Sequence, residues 1–221
     1  MREERFDTDG VPARLYDPGD AAGLLLFGHG GGQSKDSERC VGLCRMYAER
    51  TGLAVVCIDA VDHGERKPHG VSTGLPARWH SSSTDRMVAD WQKTVEGLAA
   101  IGPAVAYVGF SMGMIFGAPT VGSMASMKAV VFGVGGIPTG GWIDDPPLRA
   151  NLLAAASRLG HAQVLMLNMT QDECFPTEGA HVFFDAMPGS CKRLMFWNSD
   201  HDTWPAEAIR HSVQFINEHT G

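Results

Sequence analysis

The chain has 221 residues, of which 44% are hydrophobic and 19% are charged, a composition ordinary for a folded globular protein. Its formal net charge of −7 disfavours nucleic acid and anionic membranes as partners, because both require a basic surface. The N-terminal sequence MREERFDTDG lacks the apolar core of a signal peptide, and no apolar run approaches the ~18 residues that span a bilayer. We therefore expect one compact cytoplasmic domain over residues 1–221 that binds neither nucleic acid nor membrane.

The chain begins with two short strands around Asp9 and Gly10, a dipeptide common in hairpins, and then alternates apolar runs with amphipathic stretches. The further predicted strands are GLLLF (23–27), LAVVCIDA (53–60), AVAYVGF (104–110), KAVVFGVGG (128–136), AQVLMLNM (162–169) and KRLMFW (192–197). The predicted helices cover residues 35–50, 85–100, 146–160, 177–187 and 205–219, with another starting at Ser111, and residues 64–83 form a loop. This alternation predicts an α/β protein with a mostly parallel sheet of about eight strands and helices on both faces.

The cysteines are odd in number and scattered, and none forms a CxxC pair. A disulfide framework or a zinc site is therefore not expected, and we predict reduced, mostly buried thiols. The five are Cys40, Cys44, Cys57, Cys174 and Cys191.

Unusual residues follow four of the predicted strands, where ligands bind in parallel sheets. In chain order these are a glycine loop (GHGGG), a serine, an acidic segment (TQDE) and a histidine within DHD. The serine is Ser111, which lies in Gly109-x-Ser111-x-Gly113 between a predicted strand and a predicted helix. This context is what a nucleophile on a sharp strand-to-helix turn requires, and the alternative is a serine that caps the helix.

A serine nucleophile requires a base, and His201 follows the last predicted strand directly. The base in turn requires an acid, and Asp172 follows its strand by three residues. Glu173 is the alternative acid, while Asp144 and Asp145 lie in a segment resembling a turn before a helix.

The glycine loop supplies backbone amides for a developing oxyanion, because Gly30, Gly31 and Gly32 carry no side chain that would block them. We expect the amide of Gly31 to act with that of Met112. We expect His29 to be a structural hydrogen-bonding residue under this loop.

Nearly the whole chain resembles the α/β-hydrolase superfamily, in which a glycine loop, a nucleophile turn, an acid and a histidine follow one another in this order. The segment DAVDHGER, residues 59–66, is similar to one in small esterases related to dienelactone hydrolases and prolyl oligopeptidases. The resemblance implies an α/β-hydrolase fold with a minimal or absent cap domain, Ser111 as nucleophile, His201 as base and Asp172 as acid. Dienelactone hydrolases use a cysteine at the turn, so the serine here favours ester hydrolysis through an acyl-serine intermediate, without cofactor or metal.

The expected partner is a small-molecule ester with an apolar or aromatic group, because bulky apolar residues occur near the predicted site. Among them we expect Trp79 and Phe175 to contact the substrate, although several such residues could equally belong to the core. Any cover over the pocket must come from residues 137–163 and from the 64–83 loop. The oligomeric state is left open, with a homodimer as one alternative.

Other enzyme classes match less well. The dinucleotide-binding pattern G-x-G-x-x-G fails at Gln33, and the P-loop pattern is absent. A metal hydrolase could use Asp62 and His63, His80, or the residues around His201, but no metal-binding spacing supports this. A thioesterase, lactonase, amidase, peptidase, acyltransferase or non-hydrolytic relative would share the fold, and the sequence does not separate these.

Overall fold

A computed structural model describes residues 1–68, 81–138, 146–189 and 191–221. The strands are β1 (Arg2–Asp7), β2 (Pro12–Asp17), β3 (Leu24–Gly28), β4 (Ala54–Ile58), β5 (Ala104–Phe110), β6 (Ala129–Gly133), β7 (Gln163–Met169) and β8 (Lys192–Trp197). The helices are α1 (Glu38–Thr51), α2 (Ser81–Gly97), α3 (Met112–Gly122), α4 (Pro146–Ala156), α5 (Thr177–Ala186) and α6 (Ala206–Thr220). Short 3-10 helices cover Gly64–Arg66 and Leu159–His161.

The eight strands form one sheet in the order β1-β2-β4-β3-β5-β6-β7-β8. Strands β3 to β8 run parallel to one another, while β2 pairs antiparallel with β1 and with β4. Gly28 of β3 pairs with Gly109 of β5, and Phe110 pairs with Gly133 of β6. The predicted mostly parallel sheet is confirmed, and this register brings the ends of β3, β5 and β6 together.

The turn between β1 and β2 follows from its two central residues. Asp9 and Gly10 both have positive φ angles, 51° and 82°, and the carboxylate of Asp7 accepts a hydrogen bond from the N–H of Gly10 at 2.7 Å. The predicted hairpin is confirmed.

The core lies on both faces of the sheet because successive strand residues point in opposite directions. Leu24 and Leu26 of β3 pack in one cluster with residues of α2, α3, α4 and α5. Leu25 and Phe27 pack in a second cluster with residues of α1 and α6. Near-continuous apolar strands are therefore covered by helices on both sides, as predicted.

Helix α2 begins earlier than the sequence predicted. Its predicted start was Asp85, after a loop extending to residue 83, but the helix begins at Ser81. Thr84, Met87 and Trp91 are all buried at helical spacing. The buried face of α2 therefore extends one turn N-terminal to Met87, the first apolar residue of that face, through the polar Thr84. The rest of the predicted loop, residues 69–80, lies outside the described residues.

The connection between β6 and β7 contains α4, whose side chains Leu148 and Leu152 are buried in the same cluster as α3. Helix α4 therefore packs against α3 and α5 on one face of the sheet as a crossover helix, in agreement with the predicted minimal cap. Residues 139–145 of this connection are not among those described. No helix in the described ranges combines the length and apolar character needed to cross a bilayer.

Candidate active site

Ser111 lies on a strained turn between β5 and α3. Its φ and ψ angles are 56° and −117°, a conformation that costs a non-glycine residue ~1–3 kcal/mol. The turn is held by hydrogen bonds from Ser111 N–H to the carbonyl of Gly133, at 2.9 Å, and from Met114 N–H to the carbonyl of Ser111, at 2.8 Å. Ser111 occupies the N-cap position of α3, but its side chain makes no capping hydrogen bond. The hydroxyl is therefore left for another partner.

The glycines around Ser111 permit close backbone packing. A Cβ on Gly113 would overlap the carbonyl of Gly28, and a Cβ on Gly109 would lie 2.5 Å from the carbonyl oxygen of Gly113. The hydroxyl of Tyr107 donates a hydrogen bond to that same Gly113 carbonyl at 2.7 Å. The first turn of α3 is thus pressed against the ends of β3 and β5, which fixes the position of Ser111.

The side chains of Ser111, His201 and Asp172 lie in a hydrogen-bonded line. His201 Nε2 is 3.0 Å from Ser111 Oγ, and His201 Nδ1 is 2.8 Å from Asp172 Oδ2. Asp172 Oδ1 accepts hydrogen bonds from the backbone N–H groups of Cys174, at 2.8 Å, and Phe175, at 2.9 Å. The carboxylate is completely buried, and the His201 side chain is 24% exposed. Because Nδ1–H donates to the carboxylate, Nε2 is free to accept the serine proton.

His201 lies in an exposed turn after β8 that its neighbours hold in shape. Asp200 Oδ1 accepts hydrogen bonds from the N–H groups of Asp202, at 3.1 Å, and Thr203, at 2.8 Å. Hydrogen bonds from Thr203 lower the pKa of the Asp200 carboxyl below its ordinary value. The indole of Trp204 donates to the carbonyl of His201 at 2.8 Å. Asp200 and Trp204 therefore order the backbone that carries the histidine.

Phe175 is placed differently from the expectation that it contacts substrate. Its side chain is 0% exposed, and its ring stacks on the ring of His201 with centroids 5.8 Å apart and planes at 18°. Burial leaves it no surface to offer a pocket, so the expected contact is corrected to packing behind the histidine. The side chains of Met112 and Met114 are also completely buried.

The glycine loop after β3 lies beside the strand that enters the Ser111 turn. A Cβ on Gly30 would lie 3.8 Å from the carbonyl oxygen of Phe110, and Gly32 has a positive φ angle of 73°. Among the described residues, no acceptor receives a hydrogen bond from the backbone N–H of Gly31 or of Met112.

His29 anchors this loop from below. Its Nε2 accepts a hydrogen bond from Ala60 N–H at 3.0 Å, and its Nδ1–H therefore donates to the carbonyl of Gly30, 2.9 Å away. Burial lowers the pKa of His29 to about 4, so the ring is neutral near pH 7. The expected structural role of His29 is confirmed.

The segment 59–66 has a role that the sequence did not reveal. The Asp59 carboxylate accepts hydrogen bonds from the backbone N–H groups of Lys35 and Glu65, both at 2.9 Å, and from Lys35 Nζ at 3.0 Å. Lys35 Nζ also contacts the carboxylates of Asp36 and Glu65. A Cβ on Gly64 would overlap the Asp59 carboxylate, which explains a glycine there. These ion pairs, centred on the buried Lys35 and Asp59, tie the chain just after the glycine loop to the segment after β4.

The same segment is also tied to α2. Arg66 donates to the carbonyl of Asp59 at 3.0 Å and to Asp90 Oδ2 on α2 at 2.7 Å. No signal within the segment identifies Lys35 as the partner of Asp59 or Asp90 as the partner of Arg66, because the two residues of each pair are 24 positions apart in the chain.

Comparisons with known proteins agree with this architecture. No family model matches the chain, and no curated protein matches it in sequence. A solved structure of a cold-adapted esterase from an Arctic intertidal metagenomic library is 25% identical, with a TM-score of 0.82 over 98% of this chain and 92% of that one. TT1662 from Thermus thermophilus is 20% identical, with a TM-score of 0.79 over 98% of this chain and 97% of that one. The Pyrococcus furiosus esterase Pf2001 is 14% identical, with a TM-score of 0.74 over 100% of this chain and 93% of that one.

The chain has the α/β-hydrolase fold. Its eight-stranded sheet, its strand order and its structural neighbours agree on this point.

One group of side chains on this α/β-hydrolase fold has the composition of a metal site. Asp172, Cys174 and His201 offer ligand atoms within 4.8 Å of one another, the only such group in the described ranges. Both Asp172 oxygens and His201 Nδ1 already take part in hydrogen bonds. Burial, with the nearby Asp172 carboxylate, raises the pKa of the Cys174 thiol to about 11, so the thiol is protonated at neutral pH. A metal ion would have to displace these bonds, and the arrangement fits a proton relay better.

The described residues include only part of the expected substrate pocket. Trp79, which we expected to contact substrate, lies outside the described residues. Trp204 is half-buried. An open cavity of about 500 Å³ lies between α1 and α6, and its lining includes none of Ser111, Asp172 and His201. That cavity is therefore separate from the candidate site.

Proposed function

We propose that the protein is a serine hydrolase that cleaves a small carboxylic ester through an acyl-serine intermediate. The observation that carries the proposal is the continuous hydrogen-bonded line from Ser111 Oγ through His201 to Asp172, with separations of 3.0 and 2.8 Å. A serine, a base in contact with it and a buried acid that orients the base are the three groups that acyl transfer requires.

In the first half of the reaction, Ser111 Oγ attacks the ester carbonyl carbon while His201 Nε2 takes the hydroxyl proton. The resulting tetrahedral oxyanion collapses, the bond from carbon to the alcohol oxygen breaks, and the imidazolium returns its proton to the leaving alcohol. The acyl group is then bonded to Ser111. Asp172, held by two backbone N–H groups, keeps Nδ1 protonated and stabilises the imidazolium.

In the second half, His201 takes a proton from a water molecule that attacks the acyl-serine carbonyl. The second tetrahedral intermediate releases Ser111 Oγ, which regains the proton, and the carboxylic acid leaves. The cycle consumes one ester and one water, and no cofactor takes part.

The backbone amides of Gly31 and Met112 are the proposed donors to the oxyanion. Their support is the lack of any acceptor for either N–H among the described residues, together with the closeness of the glycine loop to Phe110. Gly30 and Gly32 serve the same site by letting the loop turn without a side chain in the way. A preformed pair of amides stabilises the oxyanion more strongly than water does.

The test is turnover of p-nitrophenyl esters of increasing acyl-chain length. Wild type should hydrolyse at least one member of the series. Ser111→Ala should lower kcat by roughly 10⁶-fold, to the detection limit, because the nucleophile is lost. Ser157→Ala changes an exposed serine whose hydroxyl bonds to a local carbonyl, and it should behave as wild type. Hydrolysis that survives Ser111→Ala would contradict the proposal.

Thioester, lactone and amide hydrolysis share the same acyl-enzyme step. Matched p-nitrophenyl ester, thioester and anilide substrates with one common acyl group separate these reactions by their kcat/KM ratios. The ester is expected to give the largest kcat/KM of the three.

A further inference from the structure

The indole of Trp204 lies between an aromatic ring and a guanidinium group. Its ring stacks on Phe110 with centroids 4.0 Å apart and planes at 20°. On the other side, the guanidinium carbon of Arg39 lies 3.6 Å from the centre of the indole. The indole edge is also fixed, because Nε1–H donates to the carbonyl of His201 at 2.8 Å.

These contacts connect the elements that carry the two reacting side chains. Phe110 is the last residue of β5 and directly precedes Ser111, while Trp204 follows His201 by three residues. The stacked pair therefore couples the backbone that enters the serine turn to the turn that carries the histidine. The separation of 3.0 Å between Ser111 Oγ and His201 Nε2 depends on this relative placement.

Arg39 adds a third element, because it lies in the first turn of α1. Besides covering the indole, its Nη2 donates to the carbonyl of Asp202 at 3.2 Å. In the described ranges it forms no ion pair with a carboxylate. Its positive charge therefore faces the indole ring, in a cation–π contact. It also faces the backbone of the turn after β8 that carries His201, which we call the histidine turn.

We propose that Trp204 and Arg39 are positioning residues that hold His201 in line with Ser111. Neither touches the reacting atoms; Trp204 acts through the His201 carbonyl and through Phe110, and Arg39 acts through the Trp204 ring and the Asp202 carbonyl. The inference rests on the proposed function. A displacement of the imidazole by about 1 Å can lower the rate ~100-fold.

The kinetic test uses Trp204→Phe, which keeps an aromatic ring and removes the N–H donor, and Arg39→Met, which keeps the chain length and removes the charge. Each should lower kcat and the rate of Ser111 labelling by a fluorophosphonate about 10- to 100-fold, with KM changed less than about 2-fold. Arg39→Lys, which restores the cation, should recover part of the loss.

Two matched controls separate positioning from general disturbance. Trp197→Phe alters a tryptophan at the end of β8 that packs near His211, and Arg45→Met alters another arginine of α1, which pairs with Glu3. Both should keep kcat and the labelling rate within about 2-fold of wild type, because among the described residues neither side chain has a hydrogen bond, ion pair or ring contact with His201, Trp204 or Phe110.

A readout independent of turnover is the low-field proton resonance of His201 Nδ1–H, assigned by its loss in His201→Ala. Trp204→Phe and Arg39→Met should broaden or shift this resonance, while the controls should not. Unchanged labelling rates and an unchanged resonance in both variants would overturn the proposal. If wild type neither turned over nor labelled, the proposed function would fail, and the resonance alone would still decide whether these residues position His201.

Discussion

Nζ of Lys35 lies 3.0 Å from Oδ2 of Asp59, and the two side chains are only 2% and 0% exposed. Burial by itself lowers the pKa of the lysine, but hydrogen bonds to Glu65 and Asp59 outweigh it and raise the pKa above the ordinary value. The lysine therefore stays charged in the interior and joins the chain just after the glycine loop to the segment after β4.

Asp59→Asn should lower the free energy of unfolding by about 3 kcal/mol, because it leaves a buried ammonium with only its peripheral partners Asp36 and Glu65. Urea denaturation at pH 7 measures the change. The control Arg2→Ala breaks the exposed Arg2–Asp17 pair and should cost less than about 1 kcal/mol. Equal losses in the two variants would show that the buried pair has no special role.

The stability of the protein should depend on pH through His29. Its pKa is lowered to about 4 by burial, while the unfolded chain has the ordinary value near 6.5. Between these values the unfolded state binds a proton that the folded state does not, so stability falls as pH drops from about 6.5 to 4 and the loss is complete below that. Protonation of His29 should lower the free energy of unfolding by about 3 kcal/mol across this pH range.

The measurement is urea denaturation at intervals from pH 7.5 to pH 4 in wild type, His29→Asn and His161→Asn. His29→Asn should lose this part of the pH dependence, whatever its stability at pH 7. His161 is exposed, and within the described part of the chain its ring nitrogens bond to the carbonyls of Arg158 and Met124, so its variant should follow the wild-type slope. A slope shared by all three proteins would contradict the assignment.

Close backbone packing predicts opposite effects for two glycine substitutions. Gly113→Ala should abolish turnover and lower stability by several kcal/mol, because its Cβ would overlap the Gly28 carbonyl. Gly42→Ala, in the middle of α1 with nothing within 4 Å of its Cβ, should raise stability by about 0.5–1 kcal/mol. Thermal denaturation and ester turnover measure both, and an active Gly113→Ala would disprove the packing argument.

Several features of the fold and of the candidate site could be predicted because their signals are local. The near-continuous apolar strands predict a sheet covered on both faces. The glycines around Ser111 are explained by a backbone approach that any side chain would block. His201 and Asp172 were selected because each follows a strand, and parallel strands bring their carboxyl ends together.

Other features depend on partners far apart in the chain. Lys35 and Asp59 are 24 residues apart, and nothing in either segment predicts that they meet. Phe175 was expected in the pocket because it is bulky and near the acid, yet it packs behind His201, because apolar character alone does not distinguish core from pocket. The stack of Trp204 on Phe110 joins residues 94 positions apart, and nothing in either local segment predicts that the two rings meet.

The choice of Asp172 over Glu173 as the acid is open to a direct comparison. Asp172→Asn should lower kcat by ~10⁴-fold near neutral pH, because an amide at this position favours the wrong tautomer of His201. Glu173→Gln should leave kcat within about 2-fold, because Glu173 is exposed and no hydrogen bond joins it to His201 among the described residues. A larger loss from Glu173→Gln than from Asp172→Asn would reverse the assignment.

The most direct measurement is the site of covalent labelling by a fluorophosphonate, located by peptide mass spectrometry. Only a serine activated by a base reacts readily, so the adduct reports the Ser111–His201 contact itself. We predict a single adduct on the peptide containing Ser111, lost in Ser111→Ala and strongly slowed in His201→Ala. Labelling at another residue, or none in a folded wild-type protein, would contradict the account.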